Sequence, residues 1–420
     1  MPGKAEKLQN GVTLLTEPVA ASNSVAIGFW FSVGSRIESK ENYGITHFTE
    51  HMIFKGTSSL KARDISCAFD VMGGYINAWT DKENICVHCV VPSLNDNFQK
   101  ALGIICDMTE NSLFDETEIQ KERKVIQSEI VSALDDPEEC SVDAVAKIIW
   151  NVKGLAHSVG GSVEDVEKIT REQLFSWYKK YIKSGNLHVC IAGNFDVDFA
   201  AKFLTENLSK KNPEQIDYTK VDSALGKNGS FFKAGNVQVK SSFGQQQIFA
   251  VFPFKNQLTK KDVYSLLVLD SILGGTTSSR LFTALREDSG LCYNVSSYIV
   301  NYCGASIWYG YVSCEKNKTN EVLKLLNSQL SLENMNFSDQ EINNAKEHLC
   351  GEEFLAGQDS EFIAKRLDRN FWLGFDLANT EETLQDIRSV TKNDIMDCAR
   401  VLFGDQKSIV VYGSRFRWKF

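Results

Sequence analysis

Residues 114–119 read Phe-Asp-Glu-Thr-Glu-Ile, and residues 337–342 read Phe-Ser-Asp-Gln-Glu-Ile, 223 positions further along the chain. The apolar run Leu187–Gly193 has a similar counterpart in Ser408–Gly413, and both have the composition of buried strands. A long helix is predicted to follow the first stretch, from Glu116 to about Leu134. A repeat of this length predicts two domains of one fold and argues against a solenoid.

The residues between these landmarks alternate between strand and helix patterns. Apolar residues at every second position predict a strand over residues 24–33, and two further strands are predicted over residues 75–80 and 85–91. Amphipathic helices are predicted over residues 65–72 and 95–108. Each half of the chain therefore combines strands with helices.

Domain boundaries follow from a polar, glycine-containing segment near the middle of the 420-residue chain. Residues 209–230 are interpreted as a linker because they lack the periodicity of the flanking segments. The predicted domains are residues 1–208 and residues 231–420. A hydrophobic content of 43% and a charged content of 24% are ordinary for a globular protein.

The chemistry is concentrated in residues 47–51, His-Phe-Thr-Glu-His, which have the pattern H-x-x-E-H. On a helix, His47 and His51 lie four apart on one face, so both imidazoles can bind one divalent metal. Glu50 borders the same site and can act as a general base in a zinc hydrolase. With 6 His in the chain, a chance match is rare. The alternatives are an amphipathic helix with unrelated histidines, or a structural zinc, for which no local Cys or His completes a closed set.

A third ligand must come from elsewhere in the chain. Glu118, Glu122 and Glu129 share one stripe of the predicted helix 116–134. Such a stripe is usually solvated, but beside an incomplete histidine pair it is also a candidate ligand source. The spacing alone does not choose between Glu122 and Glu129.

The second half lacks this chemistry. At the same offset Glu122 corresponds to Ala345 and Glu129 to Glu352, and the only histidine there is His348. The first domain is therefore predicted to hold the metal, and the second is expected to have a different role. His188, in the buried run of the first half, is interpreted as a satisfied core residue.

Composition excludes several classes of function. A net charge of −9 without a basic stripe argues against a nucleic-acid partner, and no apolar run is long enough to span a membrane. The 11 scattered cysteines predict free thiols in a reducing compartment. Cys86 and Cys89 are three apart in a predicted strand, so they point to opposite faces and are poor joint ligands. Residues 1–8 contain no targeting pattern, so the expected location is cytoplasmic, or an organelle after removal of a transit peptide.

Taken together, these residues resemble the pitrilysin/insulinase family of zinc peptidases, especially its processing-type members with two half-domains per chain. The resemblance spans nearly the whole chain. It rests on these positions: Gly34-Ser35-Arg36, residues 47–52 with Phe54-Lys55-Gly56-Thr57, Gly73-Gly74 with Asn77, Ala78 and Thr80, Glu122 with Glu129, and His157 with Gly160. Departures from the family pattern occur at Thr49, Ile85 and Val87.

The resemblance implies a fold and an assembly. The expected fold class is α+β, with two homologous half-domains, each a mostly antiparallel sheet packed with helices, joined in a clamshell. Chains of this kind often pair around a cavity, which implies a homodimer.

The resemblance also implies roles for individual residues. Glu129 is the expected third ligand of one Zn²⁺ per chain, and Glu122 its support. Asn77 and Ala78 lie in an edge strand that peptide substrates extend. Arg286 and Tyr293, seven apart, are expected to hold the substrate; without the resemblance, a surface ion pair and a core tyrosine would be the simpler interpretations.

The predicted activity is zinc-dependent endopeptidase cleavage of peptides or unfolded segments. Glu50 would take a proton from the attacking water and pass it to the leaving amine. The alternative is a non-catalytic scaffold or partner subunit of a processing-peptidase-like complex, because a fold does not determine a function.

Overall fold

The repeat seen in the sequence is present as two sheets of matching topology. The structure is a computed structural model, and it describes residues 3–212, 214–218, 230–255, 257–404 and 406–418. The strands of the first sheet are β1 (Lys4–Lys7), β2 (Thr13–Pro18), β3 (Ser24–Phe31), β4 (Tyr75–Thr80), β5 (Ile85–Pro92) and β6 (Leu187–Gly193). The strands of the second sheet are β7 (Gly235–Lys240), β8 (Gln245–Pro253), β9 (Cys292–Tyr302), β10 (Ala305–Glu315) and β11 (Ser408–Gly413).

The strand order is β1-β2-β6-β3-β5-β4 in the first sheet and β7-β11-β8-β10-β9 in the second. Apart from the extra β1, the two orders correspond strand for strand. The pairs β2/β6 and β7/β11 are parallel, and the other pairs are antiparallel. The α+β class with mostly antiparallel sheets is therefore confirmed.

Helices lie on both sides of the linker, and one pair of them matches the sequence repeat. Those before the linker are α1 (Ile45–Ile53), α2 (Ala62–Met72), α3 (Asn97–Asn111), α4 (Glu116–Asp135), α5 (Pro137–Ile149), α6 (Lys153–Ala156), α7 (Val163–Lys168), α8 (Arg171–Trp177) and α9 (Val197–Asn207). Those after it are α10 (Lys260–Leu273), α11 (Arg280–Phe282), α12 (Thr319–Gln329), α13 (Asp339–Ala356), α14 (Ser360–Trp372), α15 (Thr380–Ser389) and α16 (Lys392–Leu402). Helix α13 begins at Asp339, the counterpart of Glu116 at the start of α4. None of the helices in the described part of the chain has the length and apolar character needed to cross a bilayer.

The chain forms two compact units that are not continuous in sequence. The first comprises Met1–Ser132, His157–Asp217 and Phe354–Glu381, and the second comprises Ala133–Ala156, Tyr218–Glu353 and Glu382–Phe420. Helix α5 thus packs on β8 and β11, and α14 packs on β2, β3 and β6. The domain boundaries at residues 1–208 and 231–420 stay a prediction, and residues 213 and 219–229 of the predicted linker lie outside the described residues.

Helix α14 joins the first unit through an apolar stripe. Ile363, Ala364 and Leu367 are spaced for one helix face and are buried against side chains from the outer face of the sheet, such as Trp30. The CxxC cysteines divide between faces as predicted, since Cys86 lies in this cluster and Cys89 in the main core on the opposite face.

Polar contacts fix α14 against the sheet. Arg366 donates two hydrogen bonds from Nη2 to the Glu17 carboxylate at 2.8 and 3.0 Å, with the Arg366 side chain fully buried. His188 Nε2 lies 2.6 Å from Asp368 Oδ1, whereas its Nδ1 is buried without a hydrogen-bond partner among the described residues. The interpretation of His188 as a core residue is therefore confirmed, but its polar atoms are only half satisfied. Charges buried at this depth are tolerated because they are paired.

The buried pair predicts a specific stability loss. Arg366→Ala leaves the Glu17 carboxylate buried without its main cation, which should lower the free energy of unfolding by about 3–5 kcal/mol. The matched control is Arg400→Ala, because Arg400 pairs with Asp397 at 2.6 Å on the surface, and such pairs contribute about 0–1 kcal/mol. Urea unfolding of both variants measures the difference, and equal losses would contradict the assignment.

Candidate metal centre

Helix α1 presents its two histidines because its other face is buried. Phe48 and Met52, also four apart, have no exposed surface and belong to the core of the first unit. With that stripe packed inward, His47 and His51 lie on the adjoining stripe at the boundary between core and solvent.

The start of α1 is held by a carboxylate from outside the helix. Gly44, at φ 87°, has no side chain to cap the helix, and the backbone N–H groups of Gly44 and Thr46 donate to Glu38 at 2.8 and 2.9 Å. A carboxylate at a helix N-terminus satisfies free N–H groups and opposes the positive end of the helix dipole.

His157 and Gly160 pack against this helix start. The His157 ring stacks on Tyr43 with centroids 4.1 Å apart, and its Nε2 donates to the Ser35 carbonyl at 2.9 Å. A Cβ on Gly44 would lie 2.5 Å from the Gly160 carbonyl oxygen, so a side chain there would collide with the backbone. Both residues therefore position α1 and are not placed as ligands.

Two candidate ligand atoms of α1 lie close to each other, and a third, on α4, lies close to one of them. His47 Nε2 and His51 Nε2 are 3.1 Å apart, and Glu129 Oε2 on α4 lies 3.5 Å from His51 Nε2. Ligands about 2.0–2.2 Å from a tetrahedral zinc are separated by about 3.3 Å from each other. The His47–His51 and His51–Glu129 separations each suit two ligands of one small cation, whereas the set whose atoms all lie within 4.8 Å of one another among the described residues is His47, Glu50 and His51.

Glu122 orients His51. His51 Nδ1 lies 2.9 Å from Glu122 Oε1, and Lys55 Nζ lies 2.7 Å from Glu122 Oε2. Burial disfavours the Glu122 carboxylate, but the hydrogen bonds from His51 and Lys55 outweigh it and lower the Glu122 pKa. With Nδ1–H donated to Glu122, the Nε2 lone pair of His51 faces the candidate metal position, as in carboxylate–histidine–metal arrangements.

The electrostatics of the two histidines differ. Burial, together with the neighbouring His51, lowers the pKa of His47 to about 4, so His47 is neutral at pH 7. Burial also opposes charge on His51, but its hydrogen bond to Glu122 and the Glu50 and Glu129 carboxylates raise its pKa. His47 Nδ1 is buried without a hydrogen-bond partner among the residues that the structure describes.

Glu50 lies on the same helix and is almost completely buried. Its Oε2 accepts a hydrogen bond from the Thr80 hydroxyl at 3.3 Å, and burial raises the pKa of its carboxyl above the usual value. His47, Glu50 and His51 each offer an atom within 4.8 Å of the others. By these distances Glu50 and Glu129 are both candidates for a third ligand.

The predicted glutamate stripe of α4 divides into distinct environments. Glu118 pairs with Lys121 at 2.7 Å on the surface, as expected of a solvated face. Glu122 is buried against His51, and Glu129 keeps about half of its side chain exposed at 51%. Asp115 caps the helix by accepting hydrogen bonds from the Thr117 and Glu118 backbones.

Asn77 and Ala78 lie in β4, which is an edge strand of the first sheet. They are in register with His88 and Val87 of β5, and no other strand of the described chain pairs with β4. The Ala78 N–H donates to Asn77 Oδ1 at 2.8 Å. Thr80, at the end of β4, connects this edge to Glu50.

Arg286 and Tyr293 are in the second unit and contact each other. The Arg286 guanidinium lies 5.5 Å from the Tyr293 ring centroid and 4.9 Å from that of Phe282. Tyr293 is 78% exposed, so it is not the core residue that the simpler interpretation would require. Cys292 and Asn294 pair with Cys314 and Ser313, which leaves Tyr293 as the extra residue of a β-bulge; bulges commonly redirect a side chain beside a functional site.

The sequence analysis included Lys55 and Thr80 among the positions of the resemblance but gave neither a role, and it did not foresee the bulge at Tyr293. Lys55 lies four residues after His51 on the face that carries the histidines, a signal that was available in the spacing. Thr80 and the bulge depend on strand pairing, which has no comparable signal in a single sequence.

Comparison with known proteins identifies the family. Residues 13–162 match the family described as Insulinase (Peptidase family M16), and residues 168–349 match the family described as Peptidase M16 inactive domain. An uncharacterized zinc protease of Rickettsia felis is 30% identical over 414 residues, covering 97% of this chain and 96% of the relative. The chain belongs to the insulinase family of peptidases, M16.

Solved structures share the fold at lower identity. An M16 inactive-domain protein of Pseudomonas fluorescens superposes with a TM-score of 0.89 and 17% identity, with 100% of both chains covered. A chain of complex III from Candida albicans superposes with a TM-score of 0.81 and 18% identity, covering 98% of this chain and 95% of that one. The fold is thus common to proteins with different described roles.

The geometry predicts how zinc binding responds to each glutamate. We expect the wild type to bind one zinc per chain, Glu122→Gln to weaken binding by about 10- to 100-fold, and Glu129→Gln to weaken it by more. Zinc affinity is measured by competition with a chelating dye.

Glu118→Gln is the matched control on α4 and should bind like the wild type, because Glu118 faces solvent. Loss of zinc from Glu50→Gln with full retention by Glu129→Gln would reverse the assignment of third ligand and base.

Proposed function

We propose that this protein is a zinc-dependent endopeptidase that cleaves peptides or unfolded segments. The observation that carries the proposal is the pair of His47 Nε2 and His51 Nε2, 3.1 Å apart, with Glu50 in the same cluster and Glu129 Oε2 3.5 Å from His51 Nε2. Membership of the M16 family and relatives called zinc proteases support the same reaction class.

His47, His51 and Glu129 would hold the zinc, with Glu122 and Lys55 fixing the orientation of His51. When bound, zinc supplies a Lewis acid that polarises the scissile carbonyl and acidifies its coordinated water. Glu50 takes the proton of the attacking water on its carboxylate. Glu50 then passes that proton to the amine of the departing peptide.

The raised pKa of Glu50 suits this exchange. A carboxyl group whose pKa lies nearer the working pH both accepts and returns a proton more readily than a fully solvated one. The Thr80 hydroxyl, 3.3 Å from Oε2, orients the carboxylate without neutralising it.

The substrate is proposed to add to β4 as an extra strand. Main-chain hydrogen bonds give such binding little dependence on side-chain sequence, and only extended segments can make them. Arg286 and Tyr293 would donate hydrogen bonds to the substrate or to the developing oxyanion. The exposure of Tyr293 and its contact with Arg286 support this role.

The second candidate function is a non-catalytic partner or scaffold. It is favoured by the match of residues 168–349 to an inactive domain and by the fold shared with a complex III chain. Zinc analysis combined with a fluorogenic peptide library separates the two functions, because a scaffold neither binds zinc at this site nor cleaves any peptide.

We also propose a homodimer in the cytoplasm. All eleven cysteines are free thiols, which suits a reducing compartment. Sedimentation equilibrium tests the dimer, and fractionation of cells tests the location.

The role of Glu50 predicts an inactive enzyme that keeps its metal. Glu50→Gln preserves shape and the Thr80 contact but removes the base, so kcat should fall by about a hundred- to ten-thousand-fold. Zinc content should equal that of the wild type, as measured by atomic absorption. Residual activity close to wild type would remove Glu50 from the mechanism.

The second unit yields a separate prediction. Tyr293→Phe removes only a hydroxyl and keeps the ring under Arg286, so a fall in kcat/KM of about 10- to 100-fold would report a lost hydrogen bond to the substrate. Tyr298→Phe, at an exposed tyrosine of the same strand, is the control and should retain activity. Equal kinetics for the two variants would contradict the proposed role of Tyr293.

A further inference from the structure

The edge strand β4 has two chemically different faces. Ile76 and Ala78 pack against the main core, and Thr80 on the same face contacts Glu50. Tyr75 and Trp79 alternate with these residues and lie on the opposite face, where α14 packs. The catalytic side and the α14 side of this strand are therefore separated by the strand itself.

Glu361, in the first turn of α14, is the polar centre of the second face. Its carboxylate accepts a hydrogen bond from the Tyr75 hydroxyl, and its Oε1 lies 3.4 Å from His88 Nδ1. His88 is the register partner of Asn77, so Glu361 contacts residues on both β4 and β5 beside the proposed peptide-binding position.

Lys365, one turn further along α14, completes the cluster. Its Nζ lies 2.7 Å from Glu361 Oε1 and 5.2 Å from the Trp79 ring centroid. The Trp79 ring in turn lies 4.9 Å from the His88 ring. Charges on Glu361 and Lys365 offset each other, so the cluster carries little net charge.

The contacts of Glu361 can stabilise β4 in a way that backbone pairing with another strand cannot. An edge strand that receives a peptide must keep one row of backbone groups unpaired, yet an unpaired edge frays more easily than a central strand. A clamp acting through side chains on the face of the sheet can hold β4 extended while its outer backbone edge stays available.

We propose that Glu361 is a positioning residue for peptide binding: through the hydrogen bond that it accepts from Tyr75 it holds β4 in the extended form that an incoming peptide strand requires. This inference rests on the proposed peptidase function. Without the clamp, the peptide must order β4 as it binds, and that ordering weakens affinity without changing the reacting groups.

The first test compares kinetics. Glu361→Gln and Tyr75→Phe should each raise KM for a fluorogenic peptide about three- to tenfold, the size of one ordinary intramolecular hydrogen bond. Since His47, Glu50 and His51 are untouched, kcat should stay within about twofold of wild type.

The matched control is Asp368→Asn. Asp368 also anchors α14, but it does so through His188 on the central strand β6. This variant should lower the melting temperature without raising KM, with all assays run well below the lowest melting temperature. A KM increase equal to that of Glu361→Gln would show that general docking of α14 matters and would overturn the proposal.

The second test needs no catalysis. In a Glu50→Gln background, Glu361→Gln should raise the Kd of a fluorescein-labelled casein peptide by the same factor, measured by anisotropy. Amide hydrogen exchange of residues 75–80 should become faster in the absence of peptide. If this variant shows the exchange rate and the Kd of its parent, the inference about Glu361 is wrong and the proposed function is unaffected. If the wild type neither binds nor cleaves peptide, the proposed function is wrong as well.

Discussion

The four-residue spacing on α1 is the constraint on which the site depends. One helix face buries Phe48 and Met52 in the core, and this fixes the rotation of α1 about its axis. With the rotation fixed, His47 and His51 have one direction available, toward the carboxylates of α4. Burial of Phe48 and Met52 stabilises the helix. Here it also prevents the imidazoles from turning to solvent.

Carboxylates around this pair have separate functions because their surroundings differ. Glu122 is buried between His51 and Lys55 and stays ionised. Glu50 is buried beside the Thr80 hydroxyl and holds its proton more tightly. Glu129 keeps contact with solvent. Glutamates of identical chemistry can therefore act as orienting group, base and ligand. The local dielectric and the nearest partner decide which function each performs.

The two halves show how a repeated fold acquires unequal chemistry. Their sheets correspond strand for strand, yet the second has an alanine at the position of Glu122 and a single histidine, whose Nε2 lies 3.3 Å from Glu352 on the surface. Helix α5, which precedes the linker, packs on the sheet of the second unit and belongs to that unit, and α14, which follows the linker, packs on the sheet of the first unit and belongs to it. Through α14, residues late in the chain contact the edge strand that neighbours the metal centre.

The sequence by itself determined the features that depend on local periodicity. The spacing of His47 and His51, the strands at residues 75–80 and 85–91, the long helix from Glu116 and the repeat were all predictable, because each reflects contacts between near neighbours. Tertiary structure alone decided that α14 belongs with the first sheet and that Glu361 faces Tyr75 across 286 positions. It also separated Glu122 from Glu129 by burial, which spacing could not do, because both lie on one helical stripe and only the packing of α1 against α4 distinguishes them. Contacts between distant segments depend on which apolar faces pack together during folding. A single sequence carries no periodic signal that specifies which faces pack together.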